Sequence, residues 1–341
     1  MKTQKHIKTI GVISCTSSVT QVTSLELYSR SNTVEMNSYY FKNISAGDFL
    51  RRRLKSNFVK FIQDEYYSVI TRPSNQTITS FMKPENEAKN RYLHIPCWDD
   101  SRVILHAKDG RSDYIHANWI DGFEKPKKFI ATQGPLANTT ADFWRLVWQQ
   151  SCYVIVMLTR VEVNDEEMCH QYWCLQENES LVADEFCIET LKVTARFNYT
   201  RTILKITNKS SKSFRILTHF QCTNWFEHIM PDVGWLVYFV KMVDRVQRAY
   251  MNLSFQSRGV FPCPVVVHCS AGVGRTGVFC TLDICLNQLM KSSELCIPRV
   301  VLNVRIQRYA GVLNFKQYFF IYQVLDYFLR VQEIINKPTI N

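Results

Sequence analysis

Apolar positions in the C-terminal half of this chain change from a strand pattern to a helical one within a short distance. The consecutive β-branched residues Val265 to Val267 predict a buried strand. Apolar residues then recur at helical spacing and predict a helix; these are Val278, Phe279, Leu282, Leu286, Leu289 and Met290. Cys269 and the residues up to Arg275 therefore lie where a buried strand gives way to a helix.

A second helical pattern lies nearer the N-terminus and carries many basic residues. The stretch from Asp48 to Tyr67 predicts one amphipathic helix, with apolar positions at Phe49, Leu50, Leu54, Phe58, Phe61, Ile62 and Tyr66. Its polar face is basic, with Arg51, Arg52, Arg53, Lys55 and Lys60. A solvated face is the simpler interpretation, and weak contact of Arg51 to Arg53 with a membrane or an acidic partner is the alternative.

The length and composition indicate one large domain. With 341 residues, of which 46% are hydrophobic, the chain can bury a sizeable core. Residues 1–42 are rich in Ser, Thr, Val and Asn without a sustained period, and we expect a flexible tail there. We expect the domain to span residues 43–335 and a short tail to follow at 336–341. No apolar run approaches the roughly 18 residues of a membrane-spanning helix.

Charge and cysteine content narrow the class of partner and the compartment. Lys and Arg outnumber Asp and Glu by 41 to 30, so the formal net charge is +11. This potential favours acidic phosphopeptides, and no sequence module for nucleic acid accompanies it. The twelve cysteines do not follow a disulfide framework, which indicates a reducing compartment such as the cytosol. They do not follow zinc spacing either, and we expect no metal or other cofactor.

The segment from Cys269 to Arg275, here called the signature loop, has the composition of an anion cradle. Its small residues allow successive backbone N–H groups to turn inward, and a helix N-terminus adds positive potential; they are Ser270, Ala271, Gly272, Val273 and Gly274. The same field should lower the pKa of Cys269 and produce a thiolate nucleophile. Arg275 can hold two phosphate oxygens in a bidentate fork. The pattern predicts phosphate chemistry without a metal.

Two other interpretations of this segment remain. Cys269 could be a buried structural cysteine beside a tight turn, but that leaves the glycines and Arg275 unexplained. A glycine-rich nucleotide loop would require a Lys-Ser or Lys-Thr pair after the glycines, and the sequence has none there.

The ten residues HCSAGVGRTG, from His268 to Gly277, resemble the signature of the cysteine-dependent protein tyrosine phosphatases of the non-receptor class. The resemblance implies an α/β fold in which helices flank a highly twisted mixed sheet with a parallel centre. It places the signature loop between a strand and a helix, at the sheet's C-terminal edge. The pattern as a whole is most similar to the stand-alone tyrosine phosphatases of polydnaviruses (bracoviruses) of parasitoid wasps. That likeness implies interference with signalling in host immune cells.

Other segments follow in the order expected of that family. They are KNRY at 89–92, DYIHAN at 113–118, TQGP at 132–135, FW at 143–144, VIVMLT at 154–159 and QYW at 171–173. The resemblance implies that Tyr92 stacks on the phenol ring of the substrate. It also implies that the Thr276 hydroxyl stabilises the departing thiolate and that His268 tunes the cysteine.

The segment expected to carry the general acid departs from the family pattern. Trp225, Phe226 and Glu227 stand where the family usually has Trp-Pro-Asp on a mobile loop, with Pro231 matching a later proline; we call this segment the acid loop. Glu227 is thus the candidate acid, and Trp225 belongs to the substrate pocket. A longer side chain alters the position of the carboxyl group, and loss of the proline removes a fixed φ.

The segment expected to position water also departs from the pattern. Leu313 occupies the place of a glutamine that aims water at the phosphocysteine, whereas Gln317 keeps the second glutamine position. Leucine cannot orient water, so either Gln317 takes over the role or hydrolysis of the intermediate becomes limiting.

Further departures affect recognition of the peptide and support of the arginine. His94 replaces an aspartate that accepts hydrogen bonds from the peptide backbone, and Met168 replaces a lysine that reaches toward the acid loop. Val163 stands where a glutamate normally steadies the signature arginine, and Glu162 is one residue out of register.

These matches and departures define two candidate functions. The first is a protein tyrosine phosphatase, slowed by its altered loops, that acts on phosphotyrosine-containing proteins. The second is a phosphotyrosine-binding pseudophosphatase that keeps the cradle but shields its targets instead of hydrolysing them.

Overall fold

A large mixed β-sheet forms the centre of the fold. The computed structural model describes residues 40–72, 74–106, 110–226, 229–258 and 263–336. Its strands are β1 (Ile44–Ser45), β2 (Arg102–Ile104), β3 (Tyr114–Gly122), β4 (Lys125–Thr132), β5 (Val154–Met157), β6 (Glu162–Val163), β7 (Glu166–Glu167), β8 (Ser180–Ala183), β9 (Phe186–Ala195), β10 (Tyr199–Asn208), β11 (Phe214–Cys222), β12 (Val265–His268) and β13 (Glu294–Leu295). Across these described ranges, nine strands join the main sheet in the order β2-β3-β4-β12-β5-β11-β10-β9-β8.

Helices surround this sheet. They are α1 (Ala46–Arg53), α2 (Phe58–Ile70), α3 (Pro84–Glu87), α4 (Thr140–Gln149), α5 (Val233–Arg258), α6 (Gly274–Ser292), α7 (Ile297–Gln307) and α8 (Phe315–Asn336). The combination confirms the expected α/β class with helices around a mixed sheet. No helix in the part of the chain that the structure describes is long and apolar enough to cross a membrane.

The four central strands run parallel to one another. β12 pairs in parallel with both β4 and β5, and β11 pairs in parallel with β5. All four residues of β12 and all four of β5 are buried, as expected for parallel strands covered on both faces. The strands outside this centre pair antiparallel. The signature loop therefore leaves the sheet at one of its two fully buried central strands.

The prediction of one helix from Asp48 to Tyr67 was wrong, because the segment forms two helices, α1 and α2. The chain turns between Leu54 and Asn57, and Leu54 is 79% exposed although it fits the apolar period. Ser56 and Asn57 lie at this turn, and side chains of these types compete for backbone hydrogen bonds, which favours turns and helix ends over helix interiors. The break allows each helix to bury its own apolar face.

The basic residues of these helices are mostly held in ion pairs. Arg51 pairs with Asp48, and Lys60 pairs with Asp64. Arg53 pairs with Asp326 on α8. These pairs favour the solvated interpretation of the basic face.

A buried carboxylate joins α2 to α8. Glu65 is 1% exposed and accepts hydrogen bonds from the hydroxyl groups of Tyr318 and Tyr322, which lie one turn apart on α8. The Tyr322 ring also stacks on Phe49 of α1, with ring centroids 5.5 Å apart. Burial raises the pKa of Glu65 to about 7, and the two tyrosine hydroxyls only partly offset this.

Glu65 should make the stability of the fold depend on pH. The folded-state pKa lies above the ordinary value of 4.5, so the stabilisation is complete below that value and is lost as the pH rises toward 7. Between about pH 5 and about pH 8, wild type should lose on the order of 3 kcal/mol more unfolding free energy than Glu65→Gln. Urea denaturation of both proteins across this range measures the difference, and parallel pH profiles would contradict the assignment.

Candidate active site

Cys269 lies at the bottom of a cleft where β12 ends and α6 begins. The cleft has a volume of about 270 Å³. It is lined by Tyr92, His94, Ile95, Glu166, Met168, Cys269, Ser270, Ala271, Val273, Gly274, Arg275, Leu313 and Gln317. Most of the residues singled out from the sequence thus meet in one place, although they come from segments far apart in the chain.

The Cys269 sulfur is surrounded by hydrogen-bond donors. It accepts from the Gly272 backbone N–H at 3.2 Å and from the Thr276 hydroxyl at 3.4 Å. Burial by itself would raise the pKa of the Cys269 thiol, but the Arg275 charge and the donors of Thr276 and Gly272 outweigh it. The pKa of Cys269 is therefore held below its ordinary value.

Only glycine fits at position 272 of the signature loop. Its φ is +69°, and a Cβ atom there would come within 2.0 Å of the Thr132 carbonyl oxygen. The loop therefore packs directly against the end of β4. This close approach brings the Gly272 N–H toward the Cys269 sulfur.

Arg308 supports the signature loop by binding two of its backbone carbonyl groups. The residue is fully buried, and its guanidinium donates to the carbonyl oxygens of Gly272 and Ala271, each at 3.0 Å. Because these carbonyls face Arg308, the loop is free to turn N–H groups toward the cleft. The guanidinium also donates to the Asn118 side chain at 2.7 Å. This role could not be predicted from the sequence, since an isolated arginine at the end of a helix gives no sign of burial.

His268 is a buried, neutral imidazole. Burial, together with the positive charges of Arg91 and Arg275, lowers its pKa to about 4, although a hydrogen bond to Cys269 opposes this. Nδ1 lies 3.0 Å from the Cys269 carbonyl oxygen and must donate to it, so Nε2 accepts from the Tyr172 hydroxyl at 2.8 Å. His268 thus contacts the backbone of the nucleophile rather than its sulfur.

Arg275 is 9% exposed and reaches across to the acid loop. Its Nη1 donates to the Trp225 carbonyl oxygen at 3.0 Å. Within the described ranges no carboxylate forms an ion pair with Arg275, and Glu162, the out-of-register candidate, is exposed in β6. Val163 therefore leaves the guanidinium without the support that the family pattern implies.

In the described part of the acid loop, Trp225 and Phe226 each pack against another segment of the fold. The Trp225 ring is 3% exposed and meets Phe320 edge-on. The Phe226 ring lies 4.8 Å below the Arg160 guanidinium, and Arg160 also donates to the Thr223 carbonyl oxygen at 2.9 Å. A cation–π contact thus stands where the family has proline. Glu227, the candidate acid, lies outside the described residues.

Tyr92 stands beside the signature loop. Its hydroxyl and that of Ser270 share a hydrogen bond of 2.8 Å. The backbone beside it is fixed by Gln133, whose side-chain oxygen accepts from the Arg91 N–H at 2.9 Å. The Arg91 guanidinium in turn donates to the Gly134 carbonyl oxygen at 3.1 Å. The family resemblance gives KNRY as the loop that carries Tyr92, and the contacts of Gln133 and Gly134 with Arg91 show that the TQGP segment holds this loop in place.

Gln317 lies against the signature loop, and Leu313 lies at the edge of the cleft. Gln317 is 6% exposed, and its Oε1 accepts from the Leu313 N–H at 2.9 Å. A Cβ atom at Gly274 would come within 2.7 Å of the Gln317 Nε2, so a larger residue there would displace the Gln317 amide. Leu313 is 48% exposed. The Gln317 amide therefore lines the cleft beside Gly274 of the signature loop.

The other side of the cleft has few groups that can bind a peptide backbone. His94 is exposed and its ring meets Tyr92 edge-on, with centroids 5.7 Å apart. Met168 adds an apolar side chain, and Glu166, which sequence analysis did not single out, adds a carboxylate. The described residues contain no cluster of His, Cys, Asp or Glu suited to a metal ion.

Comparison with known proteins agrees with the resemblance drawn from the signature loop. A sequence model of the family described as "Protein-tyrosine phosphatase" matches residues 86–327. The chain is 40% identical over 295 residues to the "Probable tyrosine phosphatase protein N1" of Microplitis demolitor bracovirus, covering 85% of this chain and 92% of the relative. It is 35% identical over 323 residues to "Tyrosine phosphatase H3" of the same virus, covering 89% and 99%.

A human relative is also similar. The chain is 36% identical over 295 residues to the human "Tyrosine-protein phosphatase non-receptor type 9", which covers 85% of this chain and 49% of the human protein.

The Thr276 hydroxyl should control how readily Cys269 ionises. Iodoacetate should alkylate wild-type Cys269 selectively near about pH 6, and vanadate should protect it. Thr276→Ala should move this alkylation profile upward by roughly 0.5–1 pH unit, since a donor to the thiolate is lost. Peptide mass spectrometry across a pH series measures the profile, with Cys280, whose pKa is raised by burial, as internal reference. Equal labelling of Cys269 and Cys280 without protection would contradict it.

Proposed function

The chain belongs to the protein-tyrosine phosphatase family, and we propose that it hydrolyses phosphotyrosine in proteins through a phosphocysteine intermediate. The observation that carries the proposal is the environment of Cys269. Its sulfur accepts hydrogen bonds from Gly272 and Thr276, and its pKa is lowered inside a cleft that also contains Arg275.

In the first step the phosphoryl group occupies the signature loop. The Cys269 thiolate forms a bond to phosphorus as the bond from phosphorus to the phenol oxygen breaks. Arg275 and the loop N–H groups stabilise the charge on the phosphoryl oxygens. Glu227 gives its proton to the departing phenolate, and Tyr92 holds the phenol ring at the side of the cleft.

In the second step water attacks the phosphocysteine. Gln317 holds the water, its amide nitrogen being directed toward the loop. Glu227 takes the proton from this water as the bond from phosphorus to the Cys269 sulfur breaks, and inorganic phosphate leaves. The Thr276 hydroxyl stabilises the thiolate that is regenerated.

We propose that the second step is the slower one. The first step needs Cys269, Arg275 and Glu227, whereas the second needs water to be oriented and has lost one amide at Leu313. If the first step is also too slow, the protein acts as the alternative pseudophosphatase, which binds intact phosphotyrosine and shields it. The altered acid loop, in which Phe226 packs against Arg160 where the family has proline, is the observation in favour of that alternative.

The setting follows from the chemistry and the relatives. A nucleophilic thiolate needs a reducing compartment, so we propose that the protein acts in the cytosol. The bracovirus relatives support a viral origin. On that basis we propose that the protein acts on phosphoproteins of a host cell and interferes with signalling in immune cells. Any contact of Arg51 to Arg53 with an acidic surface is weak, because two of these arginines are in ion pairs.

Turnover should depend on the Cys269 sulfur. Wild type should release p-nitrophenol steadily from p-nitrophenyl phosphate, whereas Cys269→Ser should show no turnover above the uncatalysed rate, because the nucleophile is gone. Cys187→Ser, at a partly exposed cysteine on β9, is the matched control and should keep wild-type activity. Equal activity of Cys269→Ser and wild type would refute the proposed function.

Leu313→Gln should accelerate the second step selectively. Rapid mixing of wild type with p-nitrophenyl phosphate should give a burst of about one equivalent of p-nitrophenol, followed by a slow steady state. Leu313→Gln should speed the slow phase by roughly tenfold and leave the burst rate unchanged, since a water-orienting amide is restored.

An exposed leucine elsewhere provides the control for this substitution. Leu175→Gln should behave like wild type. Absence of a burst in wild type, together with complete loss of turnover in Gln317→Ala, would mean that Gln317 already suffices and that Leu313 is not limiting.

A further inference from the structure

Helix α2 lies ahead of residues 86–327, which match the family, yet it touches the segment that positions water. We call residues 309–317, between α7 and the first turn of α8, the water loop. The buried residues of α2 are Ile62, Glu65, Tyr66 and Val69, which share one helix face. Two of these four, Glu65 and Tyr66, carry polar groups that form hydrogen bonds with other segments.

Tyr66 holds the backbone of the water loop. Its hydroxyl donates to the Leu313 carbonyl oxygen at 3.0 Å, and the residue is 5% exposed. Burial raises the pKa of Tyr66 to about 12, so the hydroxyl keeps its proton and remains a donor. The ring packs against Phe315 and Tyr318, with centroids 6.1 Å and 5.3 Å away.

The same segment is held from its other side by Gln317. The Leu313 N–H donates to Gln317 Oε1 at 2.9 Å, and the Gln317 backbone N–H donates to the Asn314 side chain at 3.0 Å. The position of the Gln317 amide therefore follows the orientation of the Leu313 backbone. A hydrogen-bond relay thus runs from Tyr66 through Leu313 to the cleft that contains Cys269.

The water loop needs such support because its backbone is strained. Val312 has φ +62° and Ala310 has φ +51°, a region that a β-branched residue such as valine rarely adopts. Strain of this kind persists only where the surroundings hold it in place. Arg305 donates to the Val312 carbonyl oxygen at 3.2 Å, and Tyr66 holds the next carbonyl along the chain.

Glu65, the residue before Tyr66 on α2, anchors this helix to α8. It accepts from Tyr318, the residue after Gln317, at 2.5 Å. A buried carboxylate tolerates little displacement from its donors, because an unpaired charge in the interior is costly. The two neighbours on α2 thus engage the start of α8 and the loop before it.

We propose that Tyr66 is a positioning residue for phosphocysteine hydrolysis, acting through the Leu313 backbone on Gln317. This rests on the proposed function, since it concerns the second step of that reaction. Tyr66 does not line the cleft and acts on the water-holding amide from outside it.

Tyr66→Phe tests the proposal because it removes one hydroxyl and keeps the ring. In rapid-mixing experiments with p-nitrophenyl phosphate, it should slow the steady state about fivefold and leave the burst rate unchanged. Tyr250→Phe is the matched control: its hydroxyl pairs with Thr218, away from the cleft, and both phases should remain as in wild type.

A double-mutant cycle separates positioning from general destabilisation. If Tyr66 acts through Gln317, adding Tyr66→Phe to Gln317→Ala should not slow the steady state further. Multiplying effects of the two substitutions, or a Tyr66→Phe steady state equal to that of wild type, would overturn the proposal.

Hydrogen exchange provides a readout that does not require catalysis. Residues 309–317 should exchange faster in Tyr66→Phe than in wild type or Tyr250→Phe, with no change in β12 or α6. Unchanged exchange in this segment would refute the relay. If wild type releases no p-nitrophenol at all, the proposed function fails, and the exchange result still decides whether Tyr66 holds the loop.

Discussion

Two hydrogen bonds to the Cys269 sulfur, from the Gly272 N–H and the Thr276 hydroxyl, allow this buried thiol to ionise. A thiol as buried as that of Cys269 would otherwise stay protonated, because burial opposes the charge of the thiolate. Donors from Gly272 and Thr276 and the charge of Arg275 reverse this balance. The surrounding fold holds the Gly272 N–H and the Thr276 hydroxyl within hydrogen-bond distance of the Cys269 sulfur.

Support for the signature loop comes from several layers. The central parallel strands fix where the loop begins, and Arg308 holds its carbonyl groups on the far side from the cleft. His268 contributes as a neutral hydrogen-bond donor to the Cys269 backbone. The cationic charge near the sulfur thus comes from arginine, whose ionisation does not change near neutral pH.

The fold class, the strand-to-helix position of Cys269 and the convergence of Tyr92, Gln317 and Arg275 on one cleft could be predicted from the sequence. These features follow from local pattern and from the family resemblance. The break between α1 and α2 was missed because Leu54 fits the helical period, and this pattern outweighed the turn-favouring Ser56 and Asn57 that follow it. The roles of Arg308 and Tyr66 also could not be predicted from the sequence, since each depends on a hydrogen bond to a backbone carbonyl that is distant in the chain.

The proposed mechanism requires Cys269 itself to carry the phosphoryl group during turnover. To test this, wild type is mixed with p-nitrophenyl phosphate, the reaction is stopped with acid within the burst, and the digested protein is mapped by mass spectrometry. We expect the added mass of one phosphoryl group on the peptide containing Cys269, and none when the nucleophile is replaced by serine. A phosphoryl group on another residue, or turnover with no adduct at any quench time, would contradict it.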